Sequence, residues 1–289
     1  MSTYTALTTL KGQDAARMLA DSIENLIPEP TGIGMFEIED GSGTWEVGGY
    51  FTEKPDSIGL DLLAAVQGAK PFVVSKIEDR DWVAQVCREL TPVYAGRFVV
   101  FGGHDADKIP SNKIKLEIEA AMAFGTGHHG TTQGCLMSFD ALLKSGLLPT
   151  DVADIGTGTG VLAMAAAKVS GAAIIASDID PVATQTAAAN IVANGLRGRV
   201  RCVTSVGFRH PDLRARAPFD LVFANILAGP LKRLAPDMAR HTDTGSVLIL
   251  SGILNRQAPG VEAVYKGWGF NRVDRRVIGE WTTLTLKRG

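Results

Sequence analysis

The chain has 289 residues, with 29 Lys or Arg against 31 Asp or Glu, which gives a formal net charge of −2 at pH 7. At roughly 150 residues per domain, this length predicts about two domains. The hydrophobic share of 45% is typical of globular proteins and argues against disorder. A net charge near zero argues against a protein that works mainly by gripping nucleic-acid phosphates. The three cysteines form neither a disulfide framework nor a CxxC metal motif; they are Cys87, Cys135 and Cys202.

Neither the N-terminal residues nor the longest apolar stretch predicts a membrane or secretory segment. Residues 1–18 lack the apolar core of a signal peptide. The longest apolar stretch, 161–176, is interrupted by Lys168, Ser170 and Gly171, a pattern that predicts a helix, a stop and a strand. We therefore expect a soluble, cytoplasmic protein that does not contact membranes and acts as a monomer.

The first hundred residues alternate between strand and helix patterns. Strands are predicted at 3–10, 33–38, 44–51 and 71–77, and helices at 16–23 and 58–66. The order strand, helix, strand, strand, helix, strand is that of a ferredoxin-like unit. We therefore predict a ferredoxin-like α+β domain over residues 1–100.

The segment after this unit has a mixed pattern. A short helix is predicted at 81–90 and an apolar strand at 93–101. Strict alternation over 113–119 predicts a strand with one face exposed to solvent. We assign residues 101–130 to a linker that is able to reposition the first domain.

From about residue 131 the pattern becomes a regular alternation of strands and helices. Strands are predicted at 151–155, 173–178, 199–204, 219–224, 246–251, 270–276 and 282–287, and helices at 160–169, 181–194, 229–240 and 256–266. This alternation predicts a parallel, doubly wound sheet. Because no helix separates the last two strands, we expect them to pair as a hairpin. Residues 131–289 are predicted to form the catalytic domain.

The sharpest motif is a glycine-rich loop, Asp154-Ile-Gly-Thr-Gly-Thr-Gly160, between a strand and a helix. Glycines at 156 and 158 permit tight turns and close approach of a ligand to the backbone. The dinucleotide fingerprint G-x-G-x-x-G requires its third glycine where this chain has Val161. The Asp154 carboxylate disfavours a pyrophosphate and favours a cationic ligand. The spacing therefore argues against an NAD-dependent dehydrogenase.

Polar residues also follow two other strands of this sheet. Asp178 ends the second strand, close to the offset of about 20 residues at which a carboxylate binds ribose hydroxyls. Asp180 precedes Pro181 and is interpreted as a helix N-cap. Asn225 ends the fourth strand, where its side chain is placed either to accept hydrogen bonds from an amine or only to turn the chain.

A second glycine-rich segment covers residues 124–132 and includes Thr131 and Thr132. These threonines are interpreted either as helix caps or as part of a lid or floor over a cofactor. The neighbouring His128 and His129 do not predict a metal site, because adjacent side chains point apart and no further Cys or carboxylate has ligand spacing.

Four segments together resemble the PrmA family, whose members methylate the large-subunit ribosomal protein eleven. They are Phe124-Gly-Thr-Gly-His-His-Gly-Thr-Thr132, Asp154-Ile-Gly-Thr-Gly-Thr-Gly160, Asp178-Ile-Asp-Pro181 and Asn225-Ile-Leu-Ala-Gly-Pro-Leu231. The glycine loop is shared by all class I methyltransferases, whereas the first and last segments are more specific. The chain departs from the family pattern at His128-His129-Gly130, where Thr-His-Pro is usual, and at Thr157 and Thr159, where Cys and Ser are more frequent.

The resemblance implies S-adenosylmethionine as the cofactor, contacted by Thr132, Gly156, Asp178 and Asn225, to which the glycine loop adds Gly158. It implies a Rossmann-like, seven-stranded class I methyltransferase domain with an antiparallel last strand, preceded by a ferredoxin-like substrate-recognition domain. It also implies an N-methyltransferase that acts on lysine side chains or the N-terminal amine of the ribosomal protein.

Asn225 is the predicted catalytic residue. Its side-chain oxygen and the carbonyls that follow it are placed to hold the N–H groups of a neutral amine, so that the lone pair points at the methyl group. A free lysine has a pKa of about 10.4, so the target must lose a proton to solvent or to a nearby acceptor. No His or carboxylate in the sequence stands out as a dedicated base.

Other functions remain open at this stage. The same fold serves methyltransferases of other protein lysines, of RNA and of small amines, and a non-catalytic cofactor-binding module is the alternative from a different class. The arginines at 197, 199 and 201 have no interleaved aromatic residues, so we interpret them as a solvated edge rather than an RNA groove.

Overall fold

The computed structural model describes residues 3–23, 25–30, 32–38, 43–77, 92–118 and 129–289. The chain divides into two compact units, Met1–Val86 and Cys87–Gly289. The predicted helix at 81–90 and the glycine-rich residues 124–128 lie outside the described residues. No helix among the described residues is both long enough and apolar enough to cross a membrane.

The first unit is a four-stranded antiparallel sheet with two helices. Its elements are β1 (Thr3–Lys11), α1 (Gln13–Ile23), β2 (Gly32–Glu37), β3 (Thr44–Phe51), α2 (Ser57–Gln67) and β4 (Val73–Ile77). The strand order β2-β3-β1-β4 confirms the predicted ferredoxin-like arrangement. Leu19 and Ile23 of α1 and Leu60 of α2 are buried in one core with Leu10 and Phe51 of the sheet, so both helices cover the same sheet face.

The second unit begins with a small three-stranded sheet, in the region that the sequence assigns partly to a linker. Its strands are β5 (Val93–Ala95), β6 (Phe98–Phe101) and β7 (Ile114–Glu117). The single strand predicted at 93–101 is broken at Gly96, whose φ of +60° makes a hairpin turn. The predicted domain boundary at residue 100 and the linker at 101–130 therefore differ from the structure.

The physical reason is that these strands are built into the core of the second unit. Phe98 stacks on Phe139 of the following helix, with ring centroids 5.8 Å apart. Leu116 and Ile118 are buried in the same cluster. Neither contact is visible in the local alternation from which the segment was predicted.

The main sheet has seven strands with helices on both faces. Its elements are α3 (His129–Lys144), β8 (Asp151–Ile155), α4 (Val161–Val169), β9 (Ala173–Asp178), α5 (Pro181–Ala193), β10 (Val200–Thr204), α6 (Pro211–Arg216), β11 (Phe219–Asn225), α7 (Ala228–Arg240), β12 (Thr242–Leu254), α8 (Ala258–Gly267), β13 (Phe270–Ile278) and β14 (Trp281–Arg288). The strand order is β10-β9-β8-β11-β12-β14-β13, and within this sheet β14 alone runs opposite to the others.

This order confirms the predicted doubly wound sheet and the terminal hairpin. The six residues of α6 were not predicted, because one and a half turns are too short for an apolar periodicity to show. The switch in connection direction between β8 and β11 leaves a crevice at their carboxyl ends, which is where ligands bind in open α/β sheets.

An ion-pair cluster ties the small sheet to α3. Arg97, in the β5–β6 hairpin, donates to the buried Asp140 carboxylate at 2.5 Å, and Lys144 reaches its other oxygen at 2.7 Å. Burial alone would raise the pKa of Asp140, but the hydrogen bonds from Lys144 and Arg97 outweigh it and hold the pKa below its usual value. The ionised carboxylate therefore stabilises the folded state.

We expect Asp140→Asn to lower the free energy of unfolding by about 2 kcal/mol at pH 7. The difference should shrink as the pH falls from about 4 through the lowered pKa, because the wild-type carboxylate is then protonated too. Urea unfolding at pH 7 and pH 3 measures both values. Asp107→Asn, which changes an exposed carboxylate, is the control and should have little effect; an equal loss in both variants would contradict the assignment.

Candidate functional site

The glycine-rich loop follows β8 and is anchored to the neighbouring strand β9. The backbone N–H groups of Gly156 and Thr157 both donate to the carbonyl oxygen of Ser177, at 2.8 and 2.9 Å. Gly156, Gly158 and Gly160 have φ angles of +75°, +54° and +82°, a region that L side chains rarely adopt. The loop therefore needs glycine at all three positions for its conformation alone.

Two of these glycines are also closely packed, whereas the middle one is open. A Cβ atom on Gly156 would lie 2.2 Å from Cγ2 of Ile226, and one on Gly160 would lie 3.1 Å from Cβ of Ala187. A Cβ on Gly158 would meet no atom within 4 Å. The loop is thus packed against the protein at its ends and leaves room for a ligand at Gly158.

Asp178, at the end of β9, is brought directly to this loop. Its Oδ2 atom accepts a hydrogen bond of 2.9 Å from the Gly158 N–H, and its Oδ1 atom accepts one of 3.1 Å from the Asp180 N–H. The carboxylate is half-buried and held in place, and each oxygen keeps lone-pair capacity for a ligand hydroxyl. Asp180 accepts from the Val182 N–H at 2.8 Å, which confirms it as the N-cap of α5.

Asp154 has a different role from the one that the sequence suggested. Its side chain is buried, so it cannot touch a ligand in the crevice. Oδ2 accepts from the Thr157 hydroxyl at 2.6 Å and from the Ala163 N–H at 3.1 Å, and Oδ1 has no partner among the described residues. Burial raises the pKa of this carboxyl to about 6. Asp154 therefore braces the loop against α4 from inside.

Asn225, at the end of β11, meets the first turn of α3. Its Nδ2 atom donates to the hydroxyl oxygens of Thr131 and Thr132, at 3.3 and 3.5 Å. Thr131 is fully buried and Thr132 is 6% exposed. Both threonines lie in the first turn of α3, which begins at His129. The strand end that they contact comes about 93 residues later in the chain. With Nδ2 turned toward α3, the amide oxygen points away from it, and no described residue hydrogen-bonds to that oxygen.

The segment after Asn225 is held by the adjacent strand β12. The Ile226 N–H donates to the Ser251 carbonyl oxygen at 3.2 Å. A Cβ on Gly252 would lie 2.4 Å from the Ile226 carbonyl oxygen, and Gly252 has a φ of +78°. Gly252 was not singled out by the sequence analysis, because an isolated glycine inside a strand pattern gives no indication of what it approaches.

A cavity of about 530 Å³ lies at the carboxyl edge of the sheet, and two of the sequence-predicted site residues, Gly156 and Asp178, line it. Gly156 and Asp178 lie on one side, and Ile226, Leu227 and the start of α7 lie on another. The loop after β10 adds Val206, which is 50% exposed, and the residue after Asp178 adds Ile179, which is 68% exposed. The apolar side chains provide surfaces for a flat ring beside a carboxylate suited to hydroxyls. The sequence analysis did not single out Val206, which follows Thr204 and Ser205 at the end of β10.

The site residues that the sequence predicts therefore form two groups of contacting residues at the carboxyl edge of the main sheet. Gly156 and Gly158 join Asp178, and Thr132 joins Asn225. Within the described residues, no three His, Cys, Asp or Glu side chains are grouped as a metal site.

The raised pKa of Asp154 predicts a specific dependence of stability on pH. Between about pH 4 and pH 6 this carboxyl binds more protons in the folded than in the unfolded state, so its contribution to the free energy of unfolding falls as the pH rises. Relative to Asp154→Asn, the wild type should lose up to about 3 kcal/mol over that window. Chemical denaturation at several pH values measures the difference, and parallel curves would show that the pKa of Asp154 is the same in the folded and the unfolded protein.

Comparison with known proteins identifies close relatives along nearly the whole chain. A family described as ribosomal protein L11 methyltransferase (PrmA) matches residues 20–289. A protein of Bradyrhizobium diazoefficiens named ribosomal protein L11 methyltransferase is 44% identical, covering 99% of this chain and 98% of its own length. A protein of the same name from Rhodopseudomonas palustris is 44% identical and covers 95% of this chain and 94% of its own length.

One solved structure is also similar to this chain in its fold. The crystal structure of ribosomal protein L11 methylase from Lactobacillus delbrueckii subsp. bulgaricus is 27% identical to this chain, with a TM-score of 0.61. The match covers 69% of this chain and 99% of that one.

Proposed function

The chain belongs to the ribosomal protein L11 methyltransferase (PrmA) family, and from this premise we propose that it is an N-methyltransferase that modifies amino groups of ribosomal protein L11. S-adenosylmethionine is its cofactor. The observation that carries the proposal is the placement of the Asn225 amide oxygen, which has no hydrogen-bond partner among the described residues, at the same sheet edge as the glycine loop and Asp178. That edge offers both a cofactor site and an acceptor for amine N–H groups.

The residues at this edge fit the cofactor. Asp178 is positioned for the ribose hydroxyls, and the exposed apolar side chains of Ile179 and Val206 provide faces for the adenine ring. Gly156 and the open backbone at Gly158 are assigned to the amino-acid portion, with Thr132 at the opposite side. When bound, the sulfonium supplies an activated methyl group.

Asn225 is proposed as the catalytic residue because of the orientation of its amide. Thr131 and Thr132 occupy the Nδ2 side, so Oδ1 is available to accept an N–H from the target amine. Accepting that hydrogen bond orients the amine and turns its lone pair toward the methyl group. An amine must be neutral to attack, and its proton leaves to solvent, because Asp154 is buried and committed to the loop.

We expect Asn225→Ala to lower kcat about 100-fold, on the scale of other lost transition-state hydrogen bonds, while the Kd of S-adenosylmethionine changes by less than about threefold. Steady-state kinetics with isothermal calorimetry separate the two effects. Equal losses in turnover and cofactor affinity would make Asn225 a cofactor-binding residue only.

We expect Thr131→Val to lower kcat about tenfold, because the valine fills the same space but removes the oxygen that holds Nδ2 of Asn225. Thr131→Ser, which keeps that oxygen, should recover most of the activity. If the serine variant is as slow as the valine variant, packing rather than the hydrogen bond is responsible.

We expect Asp178→Ala to weaken S-adenosylmethionine binding at least tenfold, the size expected for lost hydrogen bonds to a charged group. Asp180→Ala is the matched control: it removes the α5 N-cap and should cost about 1 kcal/mol of stability without changing the Kd. An unchanged Kd in Asp178→Ala would contradict the ribose assignment.

The acceptor is tested by transfer of a labelled methyl group. Purified ribosomal protein L11, total ribosomal proteins and bare ribosomal RNA are offered in parallel, and label on L11 alone is the expected result. Label on another protein, on RNA or on a small amine would keep the methyltransferase and overturn the acceptor. Cofactor binding without any label would favour the non-catalytic module.

Two further parts of the proposal concern the setting of the reaction. We propose that the protein acts as a monomer. Ribosomal proteins are made and assembled in the cytoplasm, which supports that compartment. Sedimentation of the purified protein tests the first point.

A further inference from the structure

Positive charge is concentrated in one stretch of the second unit. Residues 197–240 contain eight arginines and one lysine against three aspartates, a net charge of +6, so that the remaining 245 residues carry −8. Some of these arginines already have an acidic partner. Arg201 pairs with Asp212, and Arg216 lies 3.6 Å from Asp151. The arginines without such a partner are the ones available to a ligand.

A second cavity, of about 440 Å³, is lined by residues of this stretch and its end. They are contributed by the loop after β10, by α6 and by the end of α7: Phe208, Arg209, Arg214, Asp237, Arg240 and His241. We call it the arginine cavity. Arg209 and Asp237 also line the cavity beside the glycine loop, so the two cavities are adjacent. A volume of this size is typical of pockets that hold small molecules.

Two of the three guanidinium groups in the arginine cavity are available to an anion. Arg209 and Arg214 are exposed, and neither side chain forms an ion pair or a hydrogen bond with a described residue. Arg240 pairs at 2.5 Å with Asp237, the one carboxylate of the lining. With His241 neutral, the lining therefore has a net charge of +2. A concave surface with charge of one sign concentrates its field on a bound ion.

The end of α7 does not oppose an anion in the way that a helix C-terminus ordinarily does. Unpaired carbonyl groups make that end of a helix negative. Here the Arg288 guanidinium of β14 donates to the carbonyl oxygens of Ala239 and Thr242. Nδ1 of His241 donates to the Asp237 carbonyl oxygen at 2.8 Å, because a carbonyl is only able to accept. Donors thus cover the negative end of the helix.

Packing and hydrogen bonds hold the loop that presents Arg209. Phe208, beside it, is buried and stacks on the His241 ring, with ring centroids 4.5 Å apart. The Ser205 hydroxyl accepts a hydrogen bond of 3.0 Å from the His210 N–H. A loop that is already ordered loses little conformational entropy when a ligand binds.

We propose that the arginine cavity is a second ligand site, next to the cofactor site, and that it takes the terminal phosphate of a nucleotide-sized ligand. Guanidinium groups bind phosphate oxygens with paired hydrogen bonds, and a terminal phosphate carries up to two negative charges, which match the +2 of the lining. A single-stranded RNA needs exposed rings on which its bases stack, whereas Phe208 is buried. The proposal is independent of the methyl acceptor.

The test is isothermal calorimetry with pyrophosphate and with AMP in a buffer low in chloride. We expect saturable binding to the wild type, and a Kd at least tenfold higher in the double variant Arg209→Gln with Arg214→Gln, the scale of lost hydrogen bonds between charged groups. The matched control, Arg197→Gln with Arg275→Gln, removes the same charge from two exposed arginines outside the cavity and should bind like the wild type.

Circular dichroism and the Tm of each variant verify that the fold is intact. Two results would overturn the proposal: no saturable binding of either probe to the wild type, or the same Kd in the cavity variant as in the wild type or the control.

A further variant tests the sign of the charge in the arginine cavity. Asp237→Asn removes the carboxylate and releases Arg240 from its ion pair, so the Kd of pyrophosphate should fall about threefold or more. A gain in affinity cannot result from a damaged fold. An unchanged or higher Kd would overturn the proposal.

A third probe identifies the source of the phosphate. A short single-stranded RNA with a 5′-hydroxyl end carries only phosphodiesters, whereas AMP carries a terminal phosphate. We expect AMP to bind more tightly than this RNA, and the arginine double variant to lose the difference. Tighter binding of the RNA through the same two arginines would overturn the nucleotide-sized ligand in favour of a nucleic-acid backbone.

Discussion

The site depends on the hydrogen bond from the Gly158 N–H to the Asp178 carboxylate. Two parallel strands end side by side, and this bond connects the loop after one to the acidic residue that ends the other. It requires Gly158 in a positive-φ conformation and Asp178 at the last position of β9. The buried carboxylate of Asp154 supports the same loop from below through Thr157. Asp154 therefore holds the glycine loop from the interior, while Asp178 remains available to a ligand at the surface of the loop.

The regular part of the fold was predictable because its signal is local. Apolar strands, each bounded by a glycine or proline, predicted six strands of the main sheet within two residues of their observed limits, whereas β12 (Thr242–Leu254) is longer at both ends than predicted. The lack of a helix before β14 predicted its reversal. The first unit was predicted for the same reason. The prediction of a linker at 101–130 was wrong in part, since Leu116 and Ile118 are buried in one cluster with residues of α4, which contacts β7. Alternation in the sequence shows only that one side of a strand is apolar.

The site was predictable as a set of positions but not as a set of contacts. Strand ends identified Asp178 and Asn225, and the rule that parallel strands share a carboxyl edge predicts that they lie near each other. The pairing of Asn225 with Thr131 and Thr132 joins segments from separate parts of the chain. No periodicity in the sequence predicts that contact. The sequence analysis therefore left two interpretations of the threonines open, a helix cap or part of a lid or floor over a cofactor. Likewise Asp154 was interpreted through its charge, because burial is a property of the folded chain.

The close approach of Gly252 to the Ile226 carbonyl has a consequence for how the acceptor end of the site tolerates variation. β12 lies directly beside Asn225 and the residues after it, yet at this position it contributes only backbone. The path of the chain behind the Asn225 amide is thus set by a missing side chain. Changes of side chain along the open rim leave that path as it is, whereas any Cβ at residue 252 would displace it. Substitutions intended to adapt the site to other amines are therefore tolerated at the exposed rim, but almost none is tolerated at Gly252, where the backbone of β12 packs against Ile226.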